Sequence, residues 1–178
     1  MDRLRESSDV CFRSGSQFPL STRSGPSRDS ISLGMGSLTL RYQAEDQWHG
    51  EVLATVASEG FSGTASAWFN ETDLSSFANR MSEYPLSHPP LSLASGYVSR
   101  GGSLERHLSV VILPHDPLGN IRVVVELAPP PGGYDDLGTY STVRTWFAVT
   151  YTDLERFQRA LRRMIKGEAD EASLTDGG

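Results

Sequence analysis

The sequence predicts an α+β fold, a mainly antiparallel sheet of about six to seven strands carrying two amphipathic helices, with a β-sandwich bearing appended helices as the alternative. Three observations lead there. Apolar and polar residues alternate in short runs, as in Leu38, Leu40 and Tyr42 against Thr39, Arg41 and Gln43. Successive runs are joined by short Gly- or Pro-containing links instead of a helix after every strand, which favours antiparallel pairing with both helices on one sheet face. The hexamer Thr-Asp-Leu-x-x-Phe occurs twice, at Thr72 to Phe77 and Thr152 to Phe157, each time shortly after a Trp-Phe pair (Trp68-Phe69 and Trp146-Phe147). It marks two places where an aromatic strand runs into a helix.

Residues 1 to 34 are rich in Ser, Arg and Gly, lack apolar periodicity and are expected to be a disordered leader, with Met35 as a candidate start. Residues 35 to 167 are expected to form a single α+β domain. After the first alternating run, segments 50 to 58 and 61 to 69 follow, joined by Glu59-Gly60 as a hairpin. Gly63, Ala65 and Ala67 form a small-residue face on the second of these, where a helix is expected to approach closely. Pro85, Pro89 and Pro90 enforce an extended linker after the first helix. Segments 91 to 99, 104 to 113 and 119 to 128 come next, with turns at Arg100-Gly101-Gly102 and Asp116 to Gly119. A loop from Pro129 to Gly138 leads to the last strand, 139 to 151. Residues 168 to 178, acidic and Gly-rich, are expected to be a disordered tail.

The two helices are capped amphipathic segments. Thr72 and Thr152 are expected N-caps with Asp at the first helical position, and Glu155 completes a capping box with Thr152. Ser75 cannot do so in the first copy, which leaves Asn70 with Asp73 three residues on as the other start. Leu74, Phe77, Ala78 and Met81 recur at helical spacing, as do Leu154, Phe157, Ala160, Leu161, Met164 and Ile165. Short matches of this kind arise readily by convergence, so the repeat alone does not establish an internal duplication.

Composition narrows the function. The chain has 178 residues and a net charge of −6. Residues 36 to 152 carry six positive and twelve negative side chains, and residues 153 to 167 five positive and two negative. An acidic body disfavours extended phosphate binding and suits a basic partner; no nucleic-acid partner is expected. Arg156, Arg159, Arg162 and Arg163 near the end of the last helix read as solvated dipole partners. No apolar stretch approaches a bilayer span and the amino terminus has no apolar core of a secretion signal, so a cytoplasmic setting without a membrane partner is expected. Cys11 is the single cysteine, which excludes an internal disulfide and a cysteine-based zinc site.

No catalytic, cofactor-binding or metal-ligating residues are assigned. His49, His88, His107 and His115 lack any spacing that puts two ligands on one face. No Gly-x-Ser-x-Gly elbow is present, and Gly34-Met35-Gly36 lacks the rest of a nucleotide fingerprint. Asn70-Glu71-Thr72 matches a glycosylation sequon but fits a helix start better. What remains is an acidic, aromatic surface. Trp48, in the turn Glu45-Asp46-Gln47-Trp48-His49, is an aromatic anchor among carboxylates, and Glu45, Asp46, Glu51, Glu59, Asp135 and Asp136 are the candidate residues for meeting a basic partner.

The run Gly60-Phe61-Ser62-Gly63, continuing through Ser66-Ala67-Trp68-Phe69 and Asp73-Leu74-x-x-Phe77-Ala78, resembles a family of small actinobacterial proteins. The Gly119-x-Ile121-x-Val123 strand and the Leu154-x-x-Phe157 helix extend the likeness over roughly residues 36 to 167. Some relatives are labelled immunity proteins of the wall-associated toxin type, which bind and silence a cognate toxin. The resemblance therefore implies a protein-binding role with no catalytic residues to carry over; the leader before Met35 departs from the family's short start. A non-catalytic, toxin-neutralising binding module is the leading expectation, ahead of a small enzyme with a site invisible in sequence and a subunit that self-associates through a sheet edge.

Overall fold

The computed structural model describes residues 36–86, 89–98, 104–128 and 141–176. The leader, the turn at 100–102 and the loop at 129–138 lie outside them. Strands β1 (Ser37–Ala44), β2 (His49–Ser58) and β3 (Phe61–Asn70) form a meander that runs directly into helix α1 (Glu71–Arg80). Strand β4 (Leu91–Val98) follows, then the meander β5 (Leu104–Pro114), β6 (Ile121–Leu127) and β7 (Val143–Val149), helix α2 (Tyr151–Ile165) and strand β8 (Ala172–Thr175). All pairings are antiparallel.

The class is α+β with two helices, but the eight strands divide into two sheets of four. Sheet A has the order β3-β2-β1-β8 and sheet B the order β4-β5-β6-β7. A single sheet does not form because β3 turns its small-residue face onto sheet B and touches all four of its strands. At one end Gly63 lies against β7, where a Cβ would come within 2.8 Å of Val143 Cγ2, and the Ser58 hydroxyl donates to the Trp146 carbonyl at 3.0 Å. At the other end the Ser95 hydroxyl on β4 donates to the Trp68 carbonyl. The close approach expected of a helix at Gly63, Ala65 and Ala67 is thus made chiefly by the second sheet.

One core fills the space inside. Leu38, Leu40, Val52 and Val56 of sheet A, Val110, Ile112, Val123 and Val125 of sheet B, and Leu74, Phe157 and Leu161 of the helices are all fully buried in it. α2 lies on β1 and β8, while α1 contacts β3, β4 and α2. The helices are tied by a buried bond from Gln158 Nε2 to the Ala78 carbonyl at 2.6 Å. The apolar stripes read from sequence face this core, with Ala160 and Ile165 at its margin.

The tail reading fails at Ala172–Thr175. This segment pairs with β1, Leu174 beside Leu38 and Ala172 beside Leu40, and both apolar side chains are buried. Glu171 just before it meets Arg41 at 3.0 Å. With only two apolar positions its alternation is too short to announce a strand; the waiting edge of β1 supplies the rest.

The caps lie two residues before Thr72 and Thr152, and in α1 the cap is Asn70, the other start that the sequence offers. α1 is preceded by Asn70 and α2 by Thr150, so Thr72 and Thr152 sit inside the first turn. The capping box of α2 joins Thr150 to Asp153: the Asp153 N–H donates to Thr150 Oγ1 at 3.2 Å and the Thr150 N–H to Asp153 Oδ2 at 3.0 Å. In α1 the corresponding Asp73 accepts from Asn70 Nδ2 at 2.9 Å. The hexamer therefore occupies the same place in both helices, with its Asp reaching back to the cap residue.

That correspondence extends to topology. β1-β2-β3-α1-β4 and β5-β6-β7-α2-β8 are the same unit twice, and the strand after each helix joins the other unit's sheet beside its first strand, β4 next to β5 and β8 next to β1.

Two substitutions separate these readings by thermal or chemical denaturation. Thr150→Ala should cost about 1 kcal/mol of stability, and Thr152→Ala less than about 0.5 kcal/mol. Gly63→Val should cost about 2 kcal/mol, because the added branches meet Val143, whose Cγ2 would already lie 2.8 Å from a Cβ at this position.

Candidate functional site

The acidic, aromatic surface forms at one end of sheet A. The β1–β2 turn is built on Asp46, whose Oδ1 accepts the N–H groups of Trp48 at 2.6 Å and His49 at 2.7 Å, while His49 Nδ1 lies 3.3 Å from Asp46 Oδ2. Those bonds, the Trp48 N–H foremost, hold the Asp46 carboxyl below its ordinary pKa. The turn is fastened to the first helix by the Glu71 N–H, which donates to the Trp48 carbonyl at 2.9 Å. Trp48 itself points into solvent, 60% exposed.

Behind the turn, Gly50 leaves room for the Tyr42 ring, since a Cβ there would lie 2.5 Å from Tyr42 Cε2. The Tyr42 hydroxyl is buried without a hydrogen-bond partner. Burial pushes its pKa up, and Glu71 and Asp46 add to the effect.

The outer face of sheet A continues the surface. Glu51 stands directly across from Trp68, which is 52% exposed. Glu45, Asp46, Trp48 and Glu51 are thus brought together, joined by Trp68 and Glu71. Trp68 is not among the residues singled out in the sequence; the strand's period of two buries Phe69 and exposes Trp68, a signal present in the alternation.

Glu59 does not belong to this site. It lies at the opposite end of the ten-residue β2, in the β2–β3 turn, where Glu59 and Gly60 have φ of 51° and 83°. Both central residues have the positive φ that two-residue hairpins require. Asp135 and Asp136 lie outside the described residues, as does His88.

A second cluster sits on the outer face of sheet B. The Arg122 guanidinium stacks 4.4 Å from the Trp146 ring centroid and its Nη2 lies 3.0 Å from His115 Nδ1. Asp116 next to it organises the β5–β6 turn, and bonds from Asn120, the side-chain amide foremost, keep its carboxyl below the ordinary range. Among the described residues no group of three or more His, Cys, Asp and Glu side chains could hold a metal ion, and no helix is long and apolar enough to cross a membrane.

Among the described residues, three surface hollows are lined by charged side chains. One, of about 280 Å³ on the outer face of sheet A, holds the Arg41–Glu171 pair beside Leu53 and Thr55. One of about 440 Å³ lies between the helices, with Glu71, Arg162 and Lys166 on its walls. The third, of about 340 Å³, separates α1 from β4.

Fold and site together define a two-sheet α+β protein with two exposed tryptophans, Trp48 and Trp68, and several carboxylates at one end of sheet A. Comparison with protein-family models, with curated proteins and with solved structures finds no match for this chain.

The Asp46 bonds set a pH dependence. Because its pKa in the folded chain lies below the unfolded value, ionised Asp46 stabilises the turn at every pH above the ordinary aspartate range and loses that contribution as pH falls through the lowered value. Nuclear magnetic resonance titration should give the Asp46 carboxyl and the Trp48 and His49 amides one shared midpoint below the ordinary aspartate value; Asp46→Asn should abolish that shared transition.

Proposed function

We propose that this protein is a non-catalytic binding module that engages a basic partner protein through the tryptophan-bearing, acidic end of sheet A. Toxin neutralisation in the cytoplasm, the role implied by the family resemblance, is the specific form we favour. The observation that carries the reading is that two largely exposed tryptophans lie at the same end of sheet A, Trp48 on the turn that holds Glu45 and Asp46, and Trp68 on β3 opposite Glu51.

The chemistry fits association. Exposed tryptophan supplies large contact area at little conformational cost, and it is enriched among the residues that dominate binding energy. The carboxylates around it steer a basic surface toward the patch, which speeds encounter and makes it sensitive to salt. The Asp46 turn and its bond to α1 hold Trp48 on a fixed frame, so little ordering is left for the moment of binding.

Affinity capture from the source cell at low ionic strength tests this. The wild-type chain should retain one basic protein in stoichiometric amount, released as salt is raised. Trp48→Ala should weaken that complex by about thirtyfold, the scale of a central aromatic anchor, and Glu51→Arg should add to the loss. Glu59→Asn, at the far end of the sheet, should leave binding unchanged and raise stability by about 0.5 kcal/mol, since Asn tolerates positive φ better than Glu. Recovery of no such protein, or equal capture by the Trp48→Ala chain, would overturn the proposal.

A further inference from the structure

Sheet B ends in an open strand. Among the described residues β4 pairs only with β5, with a shift of register between Ser95 and Gly96. Its first half, Leu91 to Ala94, forms one wall of the third hollow, and the other wall is α1 with Asp73, Ser76 and Arg80. Such an edge offers unpaired backbone donors and acceptors, which proteins ordinarily blunt with charge, proline or brevity.

The other strands at sheet edges are treated differently. β8 is four residues long, β7 carries Arg144, and β3 is engaged along its length by sheet B. β4 has eight residues, LSLASGYV, without a charge or a proline. Its topological counterpart is an internal comparison. α2 lies along β8, with six residues linking them, whereas ten residues containing three prolines separate α1 from β4 and a groove stays open.

The helix wall of the groove carries Asp73 and Arg80, and Arg80 also pairs with Glu83 at 3.6 Å. The Ser95 bond to the Trp68 carbonyl puts the later part of β4 beside the start of α1, so helix and strand run antiparallel. Asp73 therefore marks the Ala94 end and Arg80 the Leu91 end. A two-fold axis through the middle of the open edge would bring Arg80 of each copy toward Asp73 of the other while the two β4 strands run antiparallel. Self-complementarity of this kind is what an isologous contact requires.

We propose that the β4 edge and the α1 groove beside it form a homodimer interface, in which β4 strands from two copies pair about Leu93, Ser92 of each facing Ala94 of the other, and join the two B sheets into one of eight strands. This contact uses a different surface from the tryptophan patch and stands or falls independently of it.

Sedimentation and light scattering of the full chain over a range of micromolar concentrations test the interface. The measured mass should rise from 19.5 kDa toward twice that value as concentration increases. Ser92→Lys with Ala94→Lys places lysines opposite lysines across the axis and should weaken the dimer at least about tenfold. Arg80→Glu should weaken it comparably, and the exchange Asp73→Arg with Arg80→Glu should restore it. Circular dichroism and the thermal midpoint establish that each variant is folded. A chain that stays monomeric at every concentration overturns the proposal, and so does a dimer indifferent to both the lysine pair and the charge exchange.

Discussion

The structure depends on the closeness with which β3 crosses sheet B. Gly63, Ala65 and Ala67 present almost no side-chain bulk, so the backbone of one sheet comes near the other and a single core can be shared by eight strands and two helices. Val143 fills the space over Gly63, and hydroxyls at the two ends of the crossing, Ser58 and Ser95, bond to main-chain carbonyls of the opposite sheet. Packing interiors at this density leaves no slack for a larger residue. It also decides which aromatic of each Trp-Phe pair is inside: Phe69 and Phe147 enter the core, and Trp68 and Trp146 are left on the outer faces. The surface proposed to bind a partner is thus a by-product of how the sheets meet.

The repeated hexamer has a mechanical meaning that sequence alone leaves open. In both copies its Asp is the third helical residue and its carboxylate reaches back to the residue that starts the helix. Leu and Phe then turn inward. Combined with two identical successions of strands and helix, the hexamer becomes the most persistent trace of a doubled architecture. Convergence explains one cap readily; it explains less well the same cap at the same joint of two matching units.

Much of this was legible in the sequence. Period-two alternation placed β1 to β7 within a few residues, and helical spacing identified nearly every buried position on α1 and α2. What failed had physical causes. Ala172 and Leu174 are too few to signal a strand without their pairing partner. Thr152 looked like a cap because Thr and a following Glu form a capping pattern, yet Thr150 with Asp153 forms a tighter one two residues earlier. The division into two sheets, which the sequence offered as its sandwich alternative, hangs on a contact between β3 and strands far along the chain, so no local pattern chooses it over a single sheet. At the site, Glu45, Asp46, Trp48 and Glu51 are neighbours because one hairpin carries them. Glu59 was grouped with them by charge, although the length of β2 sets it at the far end. Trp68 is absent from the sequence candidates although the alternation of β3 sets it on the face opposite Phe69.

The exchange of strands between the two units bears on how the chain reaches its native state. Thr39 and Ser173, which bond across β1 and β8 at 3.0 Å, are 134 residues apart. Sheet A therefore stays one strand short until residues 172–175 have been synthesised, and the first unit cannot bury its apolar face fully before α2 arrives. Contacts of such separation make folding slow and leave early intermediates sticky. Neither half is a module that can be made, stored or inherited alone, so an ancestral single unit would have had to exchange its last strand with a second copy of itself.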